Sequence, residues 1–261
     1  MSGSRERAAG PGSGYPVFFA SLAVLLASWE AADRAGWISP VLFSSPSRIV
    51  SSGVDLLGSG MINDDLATTL AGFSAAFFMA TFFGVIAGIA IGYSETLYRI
   101  FHPYIVAVNA VPKIVLMPLV ILWFGLGLPS KVFLGGVMAG FPIVVGTHAG
   151  VRGLDREYIQ LARAFRASRG RILRSVILPS IAPYVLSGMR VGINYAMVGV
   201  LIVEFFASGK GVGYRMVLYT QNFQIDRFFV LLVVVVAFTL GCTELVQRLE
   251  RRLGSWRPAA L

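Results

Sequence analysis

Six long apolar runs limit what this chain can fold into. The clearest is Leu66–Tyr93, which has 28 residues and no charged side chain. The other five are Tyr15–Trp29 (continuing to about Ala32), Tyr104–Leu128, Val132–Gly150, Ile181–Ser208 and Phe228–Leu245. A helix needs ~20 apolar residues to cross ~30 Å of hydrocarbon, and these runs lack the alternating polarity of barrel strands. We therefore predict an all-α membrane protein with about six transmembrane helices.

The composition supports this class and argues against others. Charged residues make up 13% of the chain, whereas soluble domains carry about a quarter. The net charge of +9 does not indicate nucleic-acid binding, because the arginines flank the apolar runs and suit an anionic membrane surface. Cys242 is the sole cysteine, and His102 and His148 have no acidic companions at ligand spacing. We therefore predict neither a disulfide framework nor a metal site.

The distribution of Lys and Arg predicts the orientation in the membrane. With the N-terminus inside, internal segments hold fourteen of these residues and external segments six, while Lys113 and Arg190 lie within spans. Because positive residues collect on the cytoplasmic side, we predict a multi-pass inner-membrane protein with both termini cytoplasmic. Residues 1–14 are predicted to be a disordered tail, 15–250 one membrane domain, and 251–261 a second cytoplasmic tail.

The segments assigned to the external side differ in kind. Residues 36–65 form a long link in which Ile49–Leu57 is predicted to be a short interfacial helix. The link Gly127–Ser130 is predicted to be tight and external, and Lys131 is counted with the external segments. Gly209–Tyr214, with the sequence GKGVGY, is predicted to be a glycine-rich external loop.

Glycine and proline shape the predicted spans. Gly84, Gly88 and Gly92 recur at every fourth position, which places them on one helix face and lets a neighbouring helix approach closely. Prolines in or beside the spans predict kinks that free backbone carbonyls. They are Pro112, Pro118, Pro142 and Pro183.

A basic segment, about 152–179, joins the fourth and fifth spans and holds seven arginines. Its apolar residues Leu154, Tyr158, Leu161 and Phe165 recur at intervals of four, three and four. This spacing predicts an amphipathic helix of about three turns, with Asp155 as its N-cap. Such a helix suits a groove on a cytoplasmic partner or the anionic surface of the membrane. The spacing alone favours neither interpretation.

Several residues within the spans are candidates for a solute pathway, because ionisable groups inside a membrane are usually functional. The candidates are Asn109, Lys113, Arg190, Asn194, Tyr195, Met197 and Glu204. Lys113 and Arg190 suit an anionic solute, but each also lies where it can snorkel to the headgroups. The two amides suit interhelical hydrogen bonds equally well. Glu204 suits a basic partner or an external protein near the outer end of its span.

The basic segment also carries a motif. QLARAFR (160–166), followed after nine residues by VILP (176–179), resembles the cytoplasmic EAA loop of permeases in ATP-binding-cassette (ABC) importers. Further stretches resemble the nitrate, sulfonate, taurine and bicarbonate branch of those permeases. They are SSPSRIV (44–50), ATTLAGF (67–73), AVPKIVLMPLVILWFGLG (110–127), FPIVVGTHAGV (141–151) and APYVLSGMRVG (182–192). The similarity extends from about residue 40 to residue 250.

Three positions depart from the loop pattern. Gln160 stands in place of Glu, Leu161 in place of the first Ala, and Arg166 in place of Gly. Arg rarely adopts positive φ, whereas Gly does so at little cost. We therefore expect the helix to continue past residue 166 or to turn at Ser168–Gly170.

The resemblance implies a type I ABC importer permease fold with a cytoplasmic coupling helix. It implies that this helix contacts the ATPase through Leu154, Arg156, Tyr158, Gln160, Leu161, Ala162, Arg163, Phe165 and Arg166. The sequence has no G-x-x-x-x-G-K-[ST] phosphate loop, so this chain is not the ATPase. ATP and Mg are expected on two partner ATP-binding subunits, and no cofactor on this chain. A second permease copy and an external solute-binding protein would complete the assembly.

The expected function is therefore ATP-driven import of a small, anionic solute such as sulfonate, nitrate, taurine or bicarbonate. Two copies of the chain would form an alternating-access pathway. The alternative is an ion-coupled secondary transporter. Such carriers usually need buried carboxylates, and Glu204 alone qualifies within the spans. Whether ATP or an ion gradient drives uptake distinguishes the two.

Overall fold

The structure is a computed structural model that describes residues 14–254. Within that range the backbone is helical and forms no strand, as predicted. The helices are α1 (Gly14–Arg34), α2 (Pro46–Gly58), α3 (Asn63–Tyr93), α4 (Glu95–Ala110), α5 (Met117–Phe124), α6 (Leu128–Arg152), α7 (Arg156–Ala164), α8 (Arg169–Ile172), α9 (Leu178–Ala207), α10 (Val212–Gln221) and α11 (Ile225–Gly254). All but one residue of the predicted N-terminal tail, and residues 255–261, lie outside the described part of the chain.

Five helices are long and apolar enough to cross a membrane, and a sixth span is counted if a bent pair of helices forms it. The bent pair is α4 with the segment Lys113–Phe124, which turn by 88° relative to each other. Tyr104–Leu128 was predicted as one span with a kink at Pro112, and the helix breaks at that proline. Pro112 accounts for the break, because it has no N–H to donate and disfavours the helical conformation at Val111, and both residues are extended.

The chain divides into two compact units. The first contains α1, α2 and residues 218–231. In it, the Trp29 indole donates to the Ser44 carbonyl at 2.8 Å, and the Ser44 hydroxyl donates to Asp226 at 2.6 Å. The carboxylate of Glu30 accepts the N–H of Ser47, the second residue of α2. The predicted helix at Ile49–Leu57 is confirmed, although it begins three residues earlier at Pro46.

The second unit contains α3, α6 and α9, packed along one another. The predicted close approach at Gly84, Gly88 and Gly92 is confirmed. A methyl group added to Gly88 would lie 2.5 Å from Cβ of Thr147 on α6, which is closer than nonbonded carbon atoms approach. The core of the unit contains Phe73 and Ile143, with Val246 of α11 packed beside them. These three long helices therefore position the short helices and loops at both ends of the second unit.

The fifth span begins earlier than predicted, because a continuous apolar helical segment extends from Gly170 to Ala207. It contains a π-helical turn at Leu173–Ile177, directly before α9. Pro179 has no N–H for the carbonyl of Ser175, and its ring would clash with that carbonyl in an α-helix. Widening the turn relieves this clash, which accounts for the position of the π-helix.

Candidate functional site

The basic segment after α6 folds into the short helix α7, which has nine residues. At 3.6 residues per turn this is about two and a half turns, slightly less than expected. The carboxylate of Asp155 accepts the N–H of Glu157 at 3.0 Å, so the predicted N-cap is confirmed. Arg156 is the first residue of α7, and its side chain lies outside what the structure describes.

The expectation that the helix continues past residue 166, or turns only at Ser168–Gly170, is wrong. Helix α7 ends at Ala164, and Arg166 adopts a left-handed conformation with φ of 53°. The N–H of Ala167 donates to the carbonyl of Ala162, and the N–H of Arg166 donates to that of Arg163. This pair of bonds is the Schellman motif, in which the left-handed residue is usually Gly. The turn therefore occurs where the permease loop has its glycine, despite the arginine.

Replacing Arg166 with glycine is expected to strengthen this turn. A left-handed conformation costs a non-glycine residue about 1 kcal/mol or more, and glycine does not incur this cost. In Arg166→Gly the amide of Ala167 should exchange its hydrogen about fivefold more slowly, since about 1 kcal/mol corresponds to that factor. Hydrogen-exchange mass spectrometry of the segment measures the change.

The matched control is Ala164→Gly, which places glycine inside the same helix, where it is unfavourable. This variant should speed exchange across α7. An unchanged or faster rate in Arg166→Gly would contradict the assignment of strain to Arg166.

Helix α7 has two apolar faces rather than one. Ile159 and Ala162 face the rest of the second unit and pack, with Leu154, against a cluster that includes Val151 and Ile177. The outer face consists of Tyr158, Leu161 and Phe165, whose exposed fractions are 62%, 57% and 78%. Of the predicted coupling residues, Leu154 and Ala162 therefore pack inward, whereas these three remain accessible to a partner.

One polar contact holds α7 against the end of α3, and a second joins the end of α6 to the start of α4. The Arg163 guanidinium donates to the hydroxyl of Tyr93, the last residue of α3, at 3.3 Å. Arg152, at the end of α6, pairs with Glu95 at the start of α4 at 3.0 Å. Gln160 lies on the exposed side of a cavity that is lined by both arginines. A force applied to α7 would therefore reach α3 through the Tyr93 contact and α6 through the chain, and α6 in turn is paired with α4.

The outer face of α7 continues into a shallow groove of about 340 Å³. Leu161 and Phe165 form one wall, and Val176 and Ser180 form the other. The groove is thus bounded by both halves of the sequence motif. An exposed apolar face beside a groove is typical of a surface that receives another protein.

The predicted pathway residues of the bent span lie at its break. The Lys113 ammonium donates to the Asn109 carbonyl at 3.1 Å and to its side-chain oxygen at 3.4 Å. It also lies 5.2 Å from the centre of the Phe141 ring. Both described hydrogen-bond acceptors of Lys113 are neutral, so neither offsets the charge of an ammonium group at this position.

The predicted pathway residues of α9 differ in their surroundings. Arg190 lies 3.6 Å from the carboxylate of Glu250 on α11, which offsets its charge. Asn194 and Tyr195 are exposed on the helix surface. Met197 is buried at 4% exposure in the core cluster between helices, so in a single chain it does not border an open path.

Glu204 is fully buried and forms an ion pair with Lys131 at 2.9 Å. Lys131 was counted with the external segments; it lies within α6, which begins at Leu128, and its side chain is buried to 1% exposure. Thr69 of α3 donates its hydroxyl to the Glu204 carboxylate at 2.9 Å. Asp65 is also buried and pairs with Arg215. We refer to Asp65, Thr69, Lys131, Glu204 and Arg215 as the Lys131–Glu204 cluster.

The cluster ties the start of α10 to three long helices. The N–H groups of Gly211, Val212 and Gly213 donate, each at 2.8 Å, to Asp65, Thr69 and Glu204 respectively. Lys131 donates to the carbonyl of Lys210 at 3.2 Å. Gly211 has φ of 120°, and a side chain there would collide with the Glu204 carboxylate. The segment 209–214 is thus not an open loop as predicted, because α10 begins at Val212.

Sequence reasoning missed the pairing of Lys131 with Glu204. The sequence did contain a signal for it: a lone Lys and a lone Glu lie at the same predicted end of two apolar segments. Charged side chains near hydrocarbon usually form ion pairs with one another. No ligand site follows from the cluster, because its polar groups bond to one another. Among residues 14–254, no three His, Cys, Asp or Glu side chains are grouped so as to hold a metal ion.

Comparison with known proteins identifies a common architecture. Residues 80–255 match the family described as binding-protein-dependent transport system inner membrane component. The taurine transport system permease protein TauC of Escherichia coli (strain K12) is 31% identical over 242 residues, covering 90% of this chain and 88% of that protein. The riboflavin transport system permease protein RibX of Chloroflexus aurantiacus is 30% identical over 253 residues, covering 97% and 93%.

The fold is similar to a solved structure. A chain of the MetNI methionine ABC transporter, solved in inward-facing conformations, superposes with a TM-score of 0.65 and 17% sequence identity. The match covers 74% of this chain and 96% of the other. At this identity the likeness concerns the fold, which is that of a type I ABC importer permease.

Proposed function

This chain belongs to the family of binding-protein-dependent transport system inner membrane components, and we propose that it is the permease of an ATP-driven importer for a small anionic solute. It is a multi-pass membrane protein of the ABC transporter class. The proposal has three further elements: the contact with the ATP-hydrolysing subunit (the motor contact), the identity of the solute, and the pairing of two permease copies. The observation that carries it is the exposed outer face of α7.

The motor contact is proposed at Tyr158, Leu161 and Phe165. These side chains extend away from the unit that holds α7, although apolar surface is costly to leave in water. Burial in a groove of a separate ATP-hydrolysing subunit would remove that cost. Arg163 then links α7 to α3, and Arg152 links the adjoining end of α6 to α4, so closure of the ATPase pair would move these helices as levers.

The solute is proposed to be anionic, with sulfonates such as taurine as the first candidates. The relative with 31% identity is named for taurine, and Lys113 offers an ammonium with neutral partners beside the helix break. Arg190 contributes less, because Glu250 offsets its charge. The relative named for riboflavin has nearly the same identity, so a flavin belongs in any panel of test solutes.

The pathway is proposed to lie between two copies of the chain that alternate between outward and inward access. A single copy leaves Asn194 and Tyr195 exposed on α9, where they would face such a path. We propose that an external solute-binding protein delivers the solute, and that the end of the bundle carrying α7 faces the cytoplasm.

Reconstitution tests the proposal. The permease should be placed in liposomes with its ATPase inside and its solute-binding protein outside, and uptake of labelled taurine, an alkanesulfonate and riboflavin measured. ATP should drive uptake, and an ATPase whose phosphate-loop Lys is replaced should abolish it. A preference for sulfonates supports the solute assignment separately.

A separate experiment tests the alternative, an ion-coupled secondary transporter. The permease alone is given a proton or sodium gradient without ATP. Uptake under these conditions, without need of the ATPase, would contradict the importer assignment, whichever solute is moved.

A further inference from the structure

A basic cavity lies behind α7, on the side opposite its outer face. Its volume is about 430 Å³, within the range of small-ligand sites, and it is partly open to solvent. Its walls come from the ends of α3 and α6, the start of α4, and α7 itself. The outer face of α7 can therefore be occupied by another protein while this cavity remains available.

The charge of the cavity is positive. Arg152 and Arg163 line it from two directions, and Glu95 is the single carboxylate among the residues that line it. That carboxylate is shared, because it accepts from Arg152 at 3.0 Å and from Arg99 at 3.1 Å. Arg163 donates to the neutral hydroxyl of Tyr93. The cavity wall thus holds two guanidinium groups and one carboxylate, and the charge of Arg163 is not offset by a carboxylate among the lining residues, which leaves a site for an anion.

The cavity is chemically suited to a phosphate group. A guanidinium presents two parallel N–H donors that match two phosphate oxygens, and such pairs are among the stronger hydrogen bonds in proteins. Val151 and Ile177 add apolar surface beside these donors. A ligand with an anionic head and an apolar continuation would satisfy both parts of the wall.

The rings beside the cavity are of the kind found near lipid headgroups. The Arg152 guanidinium lies 3.9 Å from the centre of the Tyr98 ring, and Tyr98 in turn contacts the rings of His102 and His148. Aromatic side chains with a polar edge concentrate at the level of lipid headgroups. Basic pockets between transmembrane helices at that level bind the headgroups of anionic lipids.

We propose that this cavity binds the phosphate of an anionic phospholipid headgroup, held by Arg152 and Arg163. The lipid would link α7 to the ends of α3, α4 and α6. The proposal does not depend on what α7 contacts on its outer face. It therefore stands or falls separately from the coupling role proposed above.

Native mass spectrometry of the full-length protein in detergent tests the site. The probes are short-chain phosphatidylglycerol and phosphatidylcholine, titrated separately. Phosphatidylglycerol should bind to a single tight site, and Arg163→Gln should weaken that site about tenfold, because a charge-assisted hydrogen bond contributes about 1.5 kcal/mol or more. Arg163→Lys keeps the positive charge but loses the paired N–H donors of the guanidinium, so its affinity for phosphatidylglycerol should lie between those of the wild type and Arg163→Gln.

The matched control is Arg174→Gln, which removes an exposed arginine of the same segment that does not line the cavity. It should leave the tight site unchanged, and thermal unfolding confirms that each variant is folded. Equal losses in Arg163→Gln and Arg174→Gln would overturn the proposal in favour of diffuse attraction. Equal binding of phosphatidylcholine would overturn it as well. If inorganic phosphate displaced the lipid at equal concentration, the site would be one for free phosphate and the lipid proposal would be overturned.

Discussion

Replacing Lys131 with methionine is expected to lower the free energy of unfolding by about 3–5 kcal/mol, the usual cost of leaving a buried charge without its partner. Glu204 is fully buried and would lose its charged partner, leaving only the neutral donors of Thr69 and Gly213. Denaturant-induced unfolding in detergent micelles, followed by intrinsic fluorescence, measures the loss. The effect should extend to α10, because the same cluster caps its first residues.

A second substitution identifies the cause of that loss. Glu204→Gln added to Lys131→Met removes both charges, and buried ion pairs that are replaced as a pair by neutral residues often lose little stability. The double variant should therefore regain more than half of the stability lost by Lys131→Met, which is a coupling energy that two independent sites would not give.

A matched lysine control is available on the neighbouring loop. The side chain of Lys210 is exposed, so Lys210→Met should change stability by less than about 0.5 kcal/mol. If Lys131→Met behaved like Lys210→Met, the buried ion pair would not be the element that holds this end of the molecule together.

Replacing Leu161 with aspartate is expected to uncouple the permease from its motor without unfolding it. Leu161 lies at the centre of the outer face of α7 and is 57% exposed, so the free chain tolerates a charge there. In the assembled transporter the same charge would enter an apolar groove without a partner. Loss of one central contact of about 2 kcal/mol weakens binding about 30-fold.

Three measurements separate uncoupling from misfolding in this variant. Thermal unfolding of Leu161→Asp should match the wild type, its affinity for the ATPase should fall, and solute-stimulated ATP hydrolysis should fall with it. Leu161→Met is the matched control, because it keeps an apolar side chain of similar volume and should retain both activities. Normal stimulated hydrolysis by Leu161→Asp would remove Leu161 from the contact.

Local rules predicted the elements of this fold that depend on neighbours in sequence. Uncharged runs located the spans, Asp155 was recognised as the cap of α7, and the spacing of Gly84, Gly88 and Gly92 predicted a face of α3 that a neighbouring helix approaches closely. Each of these features depends on residues within one helix or on the pattern along one helix face. Hydropathy and period are sufficient for such features.

Features that depend on tertiary contacts were not predicted. Lys131 and Glu204 are 73 residues apart, so their pairing is invisible in either local sequence. Arg166 adopts positive φ because the two hydrogen bonds of its turn and the packing of Ala167 outweigh its own preference. The 88° turn at Pro112 illustrates a third limit, since a proline predicts a kink but not its angle.

The coupling role of α7 is tested most directly by the accessibility of Phe165, its most exposed outer residue. A Phe165→Cys variant in a Cys242→Ser background is treated with a membrane-impermeant maleimide. We expect labelling in inside-out vesicles, no labelling in intact cells, and protection when the ATPase is added back. Labelling from outside the cell, or no protection by the ATPase, would contradict the account.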